Sequence, residues 1–167
     1  MSSNFIPLAK PNITEKDIEL VSSVLRSGML VQGKYVNELE NEFVKFTQSS
    51  FAAAVSNGTA TLHLALIALG IKNGDEVIVP AFSYMATANV VELVGAKPVF
   101  VDIDLTTFNI DVTKIEAAIT PKTKAIIPVH EFGLSCDIEG VMSIAKKHNL
   151  FVIEDAACAL GAKFKNK

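Results

Sequence analysis

The spacing of apolar positions changes near residue 51, and the change divides the chain. Before it, Ile18, Val21, Val24 and Leu25 recur at helical intervals, and Val36, Leu39, Phe43 and Phe46 do so again. Thr14 followed by Glu15-Lys16-Asp17 reads as the capped start of the first helix, and Ser27-Gly28 as its stop. Met29 to Gly33 reads as the loop to the second. Residues 1–50 are therefore expected to form an N-terminal helical segment.

From Phe51 short apolar runs alternate with helical stretches. The runs predict strands at Phe51 to Val55, Glu76 to Val79, Pro98 to Val101, Lys124 to Val129, and Phe151 towards Asp155. Between them the spacing predicts helices from about Thr59 to Leu69 (closed by Gly70), from Phe82 to Gly95, from an Asp111 cap to Ile119, and from an Asp137 cap to about His148. The first of these is apolar nearly all round, through Leu62, Leu64, Ala65, Leu66, Ile67 and Leu69, which predicts a buried helix with His63 as a core histidine. Strands joined by helices, with near-continuous apolar runs, predict an α/β domain over residues 51–167: a mainly parallel sheet with right-handed crossovers.

Composition narrows the function classes. The 167 residues suffice for one substantial core, half of them are hydrophobic, and mean hydropathy is +0.37. A formal net charge of -3 supplies no basic field, so nucleic acid is not an expected partner. The Met1-Ser2-Ser3-Asn4 start lacks the basic and apolar regions of a secretory signal, and no apolar stretch is long enough to span a bilayer. Cys136 and Cys158 then read as reduced thiols of a cytoplasmic protein.

Candidate chemistry collects at the ends of the expected strands. Phe151-Val152-Ile153-Glu154-Asp155-Ala156-Ala157 runs from a buried strand into two carboxylates, and so carries an acid to the carboxyl edge of the sheet, where ligands of open α/β sheets bind. Asp155 is there either as the working group of a site or as an acid that ties down the next turn. Ser56-Asn57-Gly58-Thr59-Ala60 sets a glycine-bearing turn at a helix start, which is either an ordinary cap or a phosphate site built from free N–H groups and the helix dipole. Pro80-Ala81-Phe82-Ser83-Tyr84 puts an aromatic ring just past another strand, for packing or for stacking on a flat ligand. Neither G-x-G-x-x-G nor G-x-x-x-x-G-K-[ST] occurs, which disfavours dinucleotides and nucleoside triphosphates. No metal-ligand motif is recognised. A phosphate cradle, a stacking ring and a buried acid are together what pyridoxal 5'-phosphate requires, with the acid facing the protonated pyridine nitrogen. His130 at a strand end reads as a loop anchor, and His148 as part of a solvated helix end.

Val-Ser-Asn-Gly-Thr-Ala-x-Leu-His-Leu-Ala-Leu, Gly-Asp-Glu-Val-Ile-Val-Pro, Gly-Ala-Lys-Pro-Val-Phe-Val-Asp-Ile-Asp, Thr-Lys-Ala-Ile-Ile-Pro-Val-His and Val-Ile-Glu-Asp-Ala-Ala occur here in order. Together they resemble the DegT/DnrJ/EryC1/StrS family of pyridoxal-phosphate sugar aminotransferases over nearly the whole chain. The resemblance implies the large domain of the fold-type-I transferases, acting as a homodimer on a nucleotide-linked keto sugar with an amino acid, expected to be glutamate, as donor in polysaccharide or related biosynthesis. It implies that Gly58 and Thr59 hold the cofactor phosphate, that Tyr84 stacks on its ring, and that Asp155 meets the pyridine nitrogen. Cys158 stands where many members have a glutamine or histidine that hydrogen-bonds the ring hydroxyl, and a thiol is a weak donor.

The same resemblance places the Schiff-base lysine and the small C-terminal domain beyond Lys167, so the large domain is expected to be truncated here. Lys163, Lys165 and Lys167 fall in what reads as a polar hairpin. A sugar dehydratase of the same family, with histidine in place of that lysine, stays open as an alternative. So do a hydrolase-like enzyme with Asp155 as nucleophile and Asp102 or Asp104 as partner acids, and a non-catalytic fragment that serves oligomer assembly.

Overall fold

Local signals in the sequence set the helix ends. In the computed structural model, which describes residues 10–166, Thr14 and Asp17 form a reciprocal capping box at the start of α1 (Glu15–Ser27). Asp17 Oδ2 accepts the Thr14 N–H at 2.8 Å, and Gly28 ends the helix at φ +70°, a conformation that glycine adopts without strain. α2 (Lys34–Thr47) follows, and neither helix contains a buried residue. The Met1-Ser2-Ser3-Asn4 start and Lys167 lie outside the described residues. The chain divides into two units between Ala54 and Val55, with α1 and α2 in the first.

The second unit is built on a four-stranded, wholly parallel sheet. Its strands are β1 (Glu76–Pro80), β2 (Lys97–Val101), β3 (Thr123–Ile126) and β4 (Phe151–Val152), in the order β2-β1-β3-β4. Ile78 pairs with Val99 on one side and Ile126 on the other, and Ile126 pairs with Val152. Alternate residues of the strands face opposite layers. Val77, Val79, Ala125 and Ile127 share a core with Leu62, Leu66, Val90 and Val91, from α3 (Gly58–Ala68) and α4 (Ala86–Leu93). Ile78 and Ile126 share the other with Ile115, Val141 and Ala145, from α5 (Val112–Ile115) and α6 (Ile138–His148). The predicted α/β domain, a parallel sheet flanked by helices, is what forms. No helix among the described residues is long and apolar enough to cross a membrane.

Several expectations are corrected. Phe51 to Val55 forms no strand: the run has no neighbouring strand among the described residues, and the Ala54 N–H donates to Glu40 Oε1 at 2.8 Å. α3 is not buried all round, because only Leu62 and Leu66 face the sheet while Leu64 and Ile67 remain about half exposed. His63 is half-buried rather than a satisfied core residue, and no hydrogen bond is assigned to it among the described residues. The helix expected from Phe82 starts only at Ala86, after a bend over residues 81–85. The segment after Cys158 is a succession of turns rather than a hairpin, with Lys165 paired to Glu139. His148 is not simply solvated, since its Nε2 lies 2.8 Å from Glu116 Oε1.

Leu66 is fully enclosed between α3, α4 and the sheet. Leu66→Ala is expected to destabilise by about 3–5 kcal/mol, the usual cost of emptying a site that cannot collapse. The midpoint of urea unfolding checks this.

Candidate active site

The chain leaves β1 for β2 on one side, then returns past β1 to β3 and on to β4. The strand order therefore reverses between β1 and β3, and a ligand crevice forms at the carboxyl ends of such strands. The segments that end there are the 81–85 bend after β1, the His130 turn after β3 and the Asp155 turn after β4.

Asp155 is fixed by its backbone. Its N–H donates to the Pro128 carbonyl at 2.9 Å and its carbonyl accepts the His130 N–H at 3.0 Å, which extends the β3–β4 pairing through a Val129–Asp155 bridge. The carboxylate is half-buried, and Oδ1 accepts the Ala157 N–H at 3.1 Å.

His130, only 7% exposed, ties these turns together. Nε2 lies 3.1 Å from Glu154 Oε2, and Nδ1 accepts the Cys136 backbone N–H at 3.1 Å. The Cys136 and Glu154 side chains draw the imidazole up to about 9 against the desolvation of its burial. Geometry opposes that rise, because a second ring proton would displace the Cys136 N–H from Nδ1. We assign the neutral ring, with its one proton on Nε2 and donated to Glu154.

Glu131, the next residue, was not singled out by the sequence. Its N–H donates to Asn109 Oδ1 at 2.9 Å, and Asn109 Nδ2 donates to the Leu134 carbonyl at 3.0 Å. Buried Asn109 thus stitches the loop after β2 to the turn after β3. Among the described residues, Glu131 Oε1 is buried without a hydrogen-bond partner. Burial pushes the Glu131 carboxyl above its ordinary value, the Ser83 hydroxyl acts in the opposite sense, and the Asp155 carboxylate adds to the rise. Ser83, Glu131 and Asp155, from the ends of three strands, therefore share one neighbourhood.

Gly58 and Thr59 open α3. Asn57 Oδ1 accepts the Ala60 N–H at 2.8 Å and the Asn57 carbonyl accepts the Thr61 N–H. The Gly58 and Thr59 amides are left without a partner among the described residues, at the positive end of the helix dipole. A Cβ at Gly58 would meet nothing within 4 Å, so there is open space beside this turn. That is a donor set suited to a phosphate.

Tyr84 is 81% exposed, so its ring is not used for packing. Cys158 is exposed, and its carbonyl closely approaches Gly133: a Cβ there would lie 3.2 Å from that oxygen. The arrangement that the hydrolase reading requires does not form. Asp102 pairs with Lys114 at 3.2 Å, and Asp104 Oδ1 accepts the N–H groups of Thr106 and Thr107. Both follow β2, three strands from β4 and so roughly 14 Å away at ordinary strand spacing.

Known proteins resemble this chain along nearly its whole length. The chain is 48% identical to the GDP-perosamine synthase of Escherichia coli O157:H7 over 98% of its own length and 45% of that protein's. It is 46% identical to the UDP-4-amino-4-deoxy-L-arabinose--oxoglutarate aminotransferase of Shewanella sediminis, covering 99% of this chain and 42% of the relative. The solved aminotransferase of Psychrobacter cryohalolentis superposes with a TM-score of 0.90 at 43% identity, over 95% of this chain and 41% of that one. The PLP-form of the sugar aminotransferase Spr1654 from Streptococcus pneumoniae, itself named as putative, superposes with a TM-score of 0.88 at 40% identity, over 93% and 44%. The chain spans less than half the length of these proteins. The model of the DegT/DnrJ/EryC1/StrS aminotransferase family matches residues 11–167, and the chain belongs to that family.

Proposed function

We propose that this chain is the cofactor-binding part of a pyridoxal-phosphate aminotransferase that moves an amino group from glutamate to a nucleotide-linked keto sugar. The observation that carries the reading is the Asp155 carboxylate, held by backbone pairing at the edge where the strand order reverses. The printed names of the relatives support the nucleotide sugar, and the oxoglutarate in one of them supports glutamate as donor.

The residues present fit the cofactor. The unpartnered amides and open space at Gly58 and Thr59 suit its phosphate, the exposed Tyr84 ring offers a face for stacking, and Asp155 offers an anion for the pyridine nitrogen. When bound, the cofactor supplies an electron sink that works best with that nitrogen protonated. The part of Asp155 is to hold this proton in place. The part of Gly58 and Thr59 is to anchor and orient, and His130 keeps the Asp155 turn in register by bonding its carbonyl and Glu154.

The test uses the full-length protein with pyridoxal 5'-phosphate and glutamate, following 2-oxoglutarate release with and without a nucleotide-linked keto sugar. Sustained release that requires the sugar is expected. Release without dependence on the sugar would overturn the acceptor, and no release with glutamate would overturn the donor. Cys158 is assigned a contact with the cofactor's edge without a nucleophilic part. Cys158→Ser is expected to keep activity within about threefold, because size is retained and a hydroxyl donates at least as well as a thiol. A folded, cofactor-loaded but inactive serine variant would refute that assignment.

A further inference from the structure

The buried, unpartnered carboxyl oxygen of Glu131 has no structural account. A polar atom removed from water without a partner costs stability, and such atoms are few in native structures. Here the cost at Oε1 is not offset within the turn, since Asn109 bonds the Glu131 backbone and not that oxygen. The turn is nevertheless held from several sides. The Leu134 N–H donates to the Glu131 carbonyl at 2.9 Å, Gly133 at φ +86° packs against the Cys158 carbonyl, and Phe132 is held at φ +54°. A bulky residue in the left-handed region is strained, and strain of this kind persists where the surroundings over-determine the backbone. The Phe132 ring lies 6.1 Å, centre to centre, from both Phe82 and Phe108. The surroundings of Glu131 are thus rigid, and its free oxygen is in the neighbourhood of Ser83 and Asp155.

We propose that Glu131 is a further cofactor-contacting residue, its carboxylic acid donating a hydrogen bond to the ring oxygen of the pyridoxal group. The inference rests on the reading of the site given above. Its chemistry follows from charge. A second carboxylate beside Asp155 would repel both that group and an anionic ring oxygen, whereas a neutral acid donates to the oxygen and leaves Asp155 as the one anion for the nitrogen. Burial raises the Glu131 pKa and the Asp155 carboxylate adds to the rise, which shifts its titration towards the neutral acid, while the Ser83 hydroxyl acts in the opposite sense.

The experiment uses the full-length protein and pyridoxamine 5'-phosphate, which carries the same ring oxygen and binds without a covalent link. Affinity, the pH at which the bound ring's absorbance changes, and the melting temperature without cofactor are measured for wild type, Glu131→Gln and Glu131→Leu. Glutamine keeps a donor and is expected to bind within about twofold of wild type. Leucine is expected to bind roughly tenfold more weakly, to move the ring's absorbance transition to higher pH, and to melt no lower than wild type without cofactor. Unchanged affinity and absorbance in the leucine variant would overturn the proposal. So would a lowered melting temperature with an unmoved absorbance transition, which marks a purely structural residue. If wild type itself does not bind the probe, the cofactor reading fails and this proposal with it, an outcome distinct from failure of the leucine variant alone.

Discussion

Asp155→Ala in the full-length protein is expected to lower amino transfer by at least about a hundredfold, the usual scale for removing one preorganised electrostatic partner from a site. The fold is expected to survive, because the backbone bonds from Asp155 to Pro128 and His130 do not involve the side chain. Among the described residues, the only side-chain bond lost is the one that Oδ1 accepts from the Ala157 N–H at 3.1 Å, in an exposed turn. Asp155→Asn separates charge from shape, since the amide retains a hydrogen-bonding oxygen and loses the anion that holds a proton on the pyridine nitrogen. Both variants are therefore expected to lose turnover, with the asparagine variant keeping more of its cofactor affinity. Near wild-type turnover in the alanine variant, at full cofactor loading, would remove Asp155 from its assigned role.

The residues that could be read from the sequence share one property: their signal is local. Buried parallel strands need apolar side chains on both faces, so the Glu76 and Lys124 runs stand out without any knowledge of their neighbours. Thr14, Asp111 and Asp137 announce helix starts because each side chain accepts an N–H two or three residues ahead. Asp155 is legible for the same reason, as an acid placed directly after a strand. What the sequence hides depends on a partner far along the chain. The Phe51 run has strand-like composition, yet its Ala54 amide bonds to Glu40. α3 is apolar on every side, and composition cannot say which side meets the sheet. Glu131 and Asn109 are hidden most completely, because their bond joins residues 22 positions apart and each looks like an ordinary polar loop residue. A glutamate directly after the Val129-His130 strand end resembles Asp155 after its own strand, and that parallel is the one clue the sequence offered.

The 167-residue chain on its own is expected to self-associate and to show no amino transfer. In the second unit Leu64 and Ile67, each about half exposed, leave the outer side of α3 apolar and uncovered, and Leu93, Tyr84, Met85 and Phe132 are each more than 60% exposed. In the first unit the apolar positions of α1 and α2 bury no residue at all. Uncovered apolar area of more than a few hundred Å² recruits a partner or aggregates, because removing it from water yields about 25 cal/mol per Å². Size exclusion with light scattering is therefore expected to give masses above the 17.9 kDa of one chain. In the second unit, four described lysines are paired with acids other than Asp155: Lys97 with Glu76, Lys114 with Asp102, Lys147 with Glu116 and Lys165 with Glu139. Among the described residues, no lysine is paired with Asp155, Glu131 or Ser83. Noncovalent binding of pyridoxamine 5'-phosphate needs no link to a lysine, and its loss in this chain relative to the full-length protein would show that residues outside these 167 complete the cradle. A monodisperse species of 17.9 kDa would defeat the association claim. Measurable amino transfer by the same fraction would place the reactive lysine within these residues.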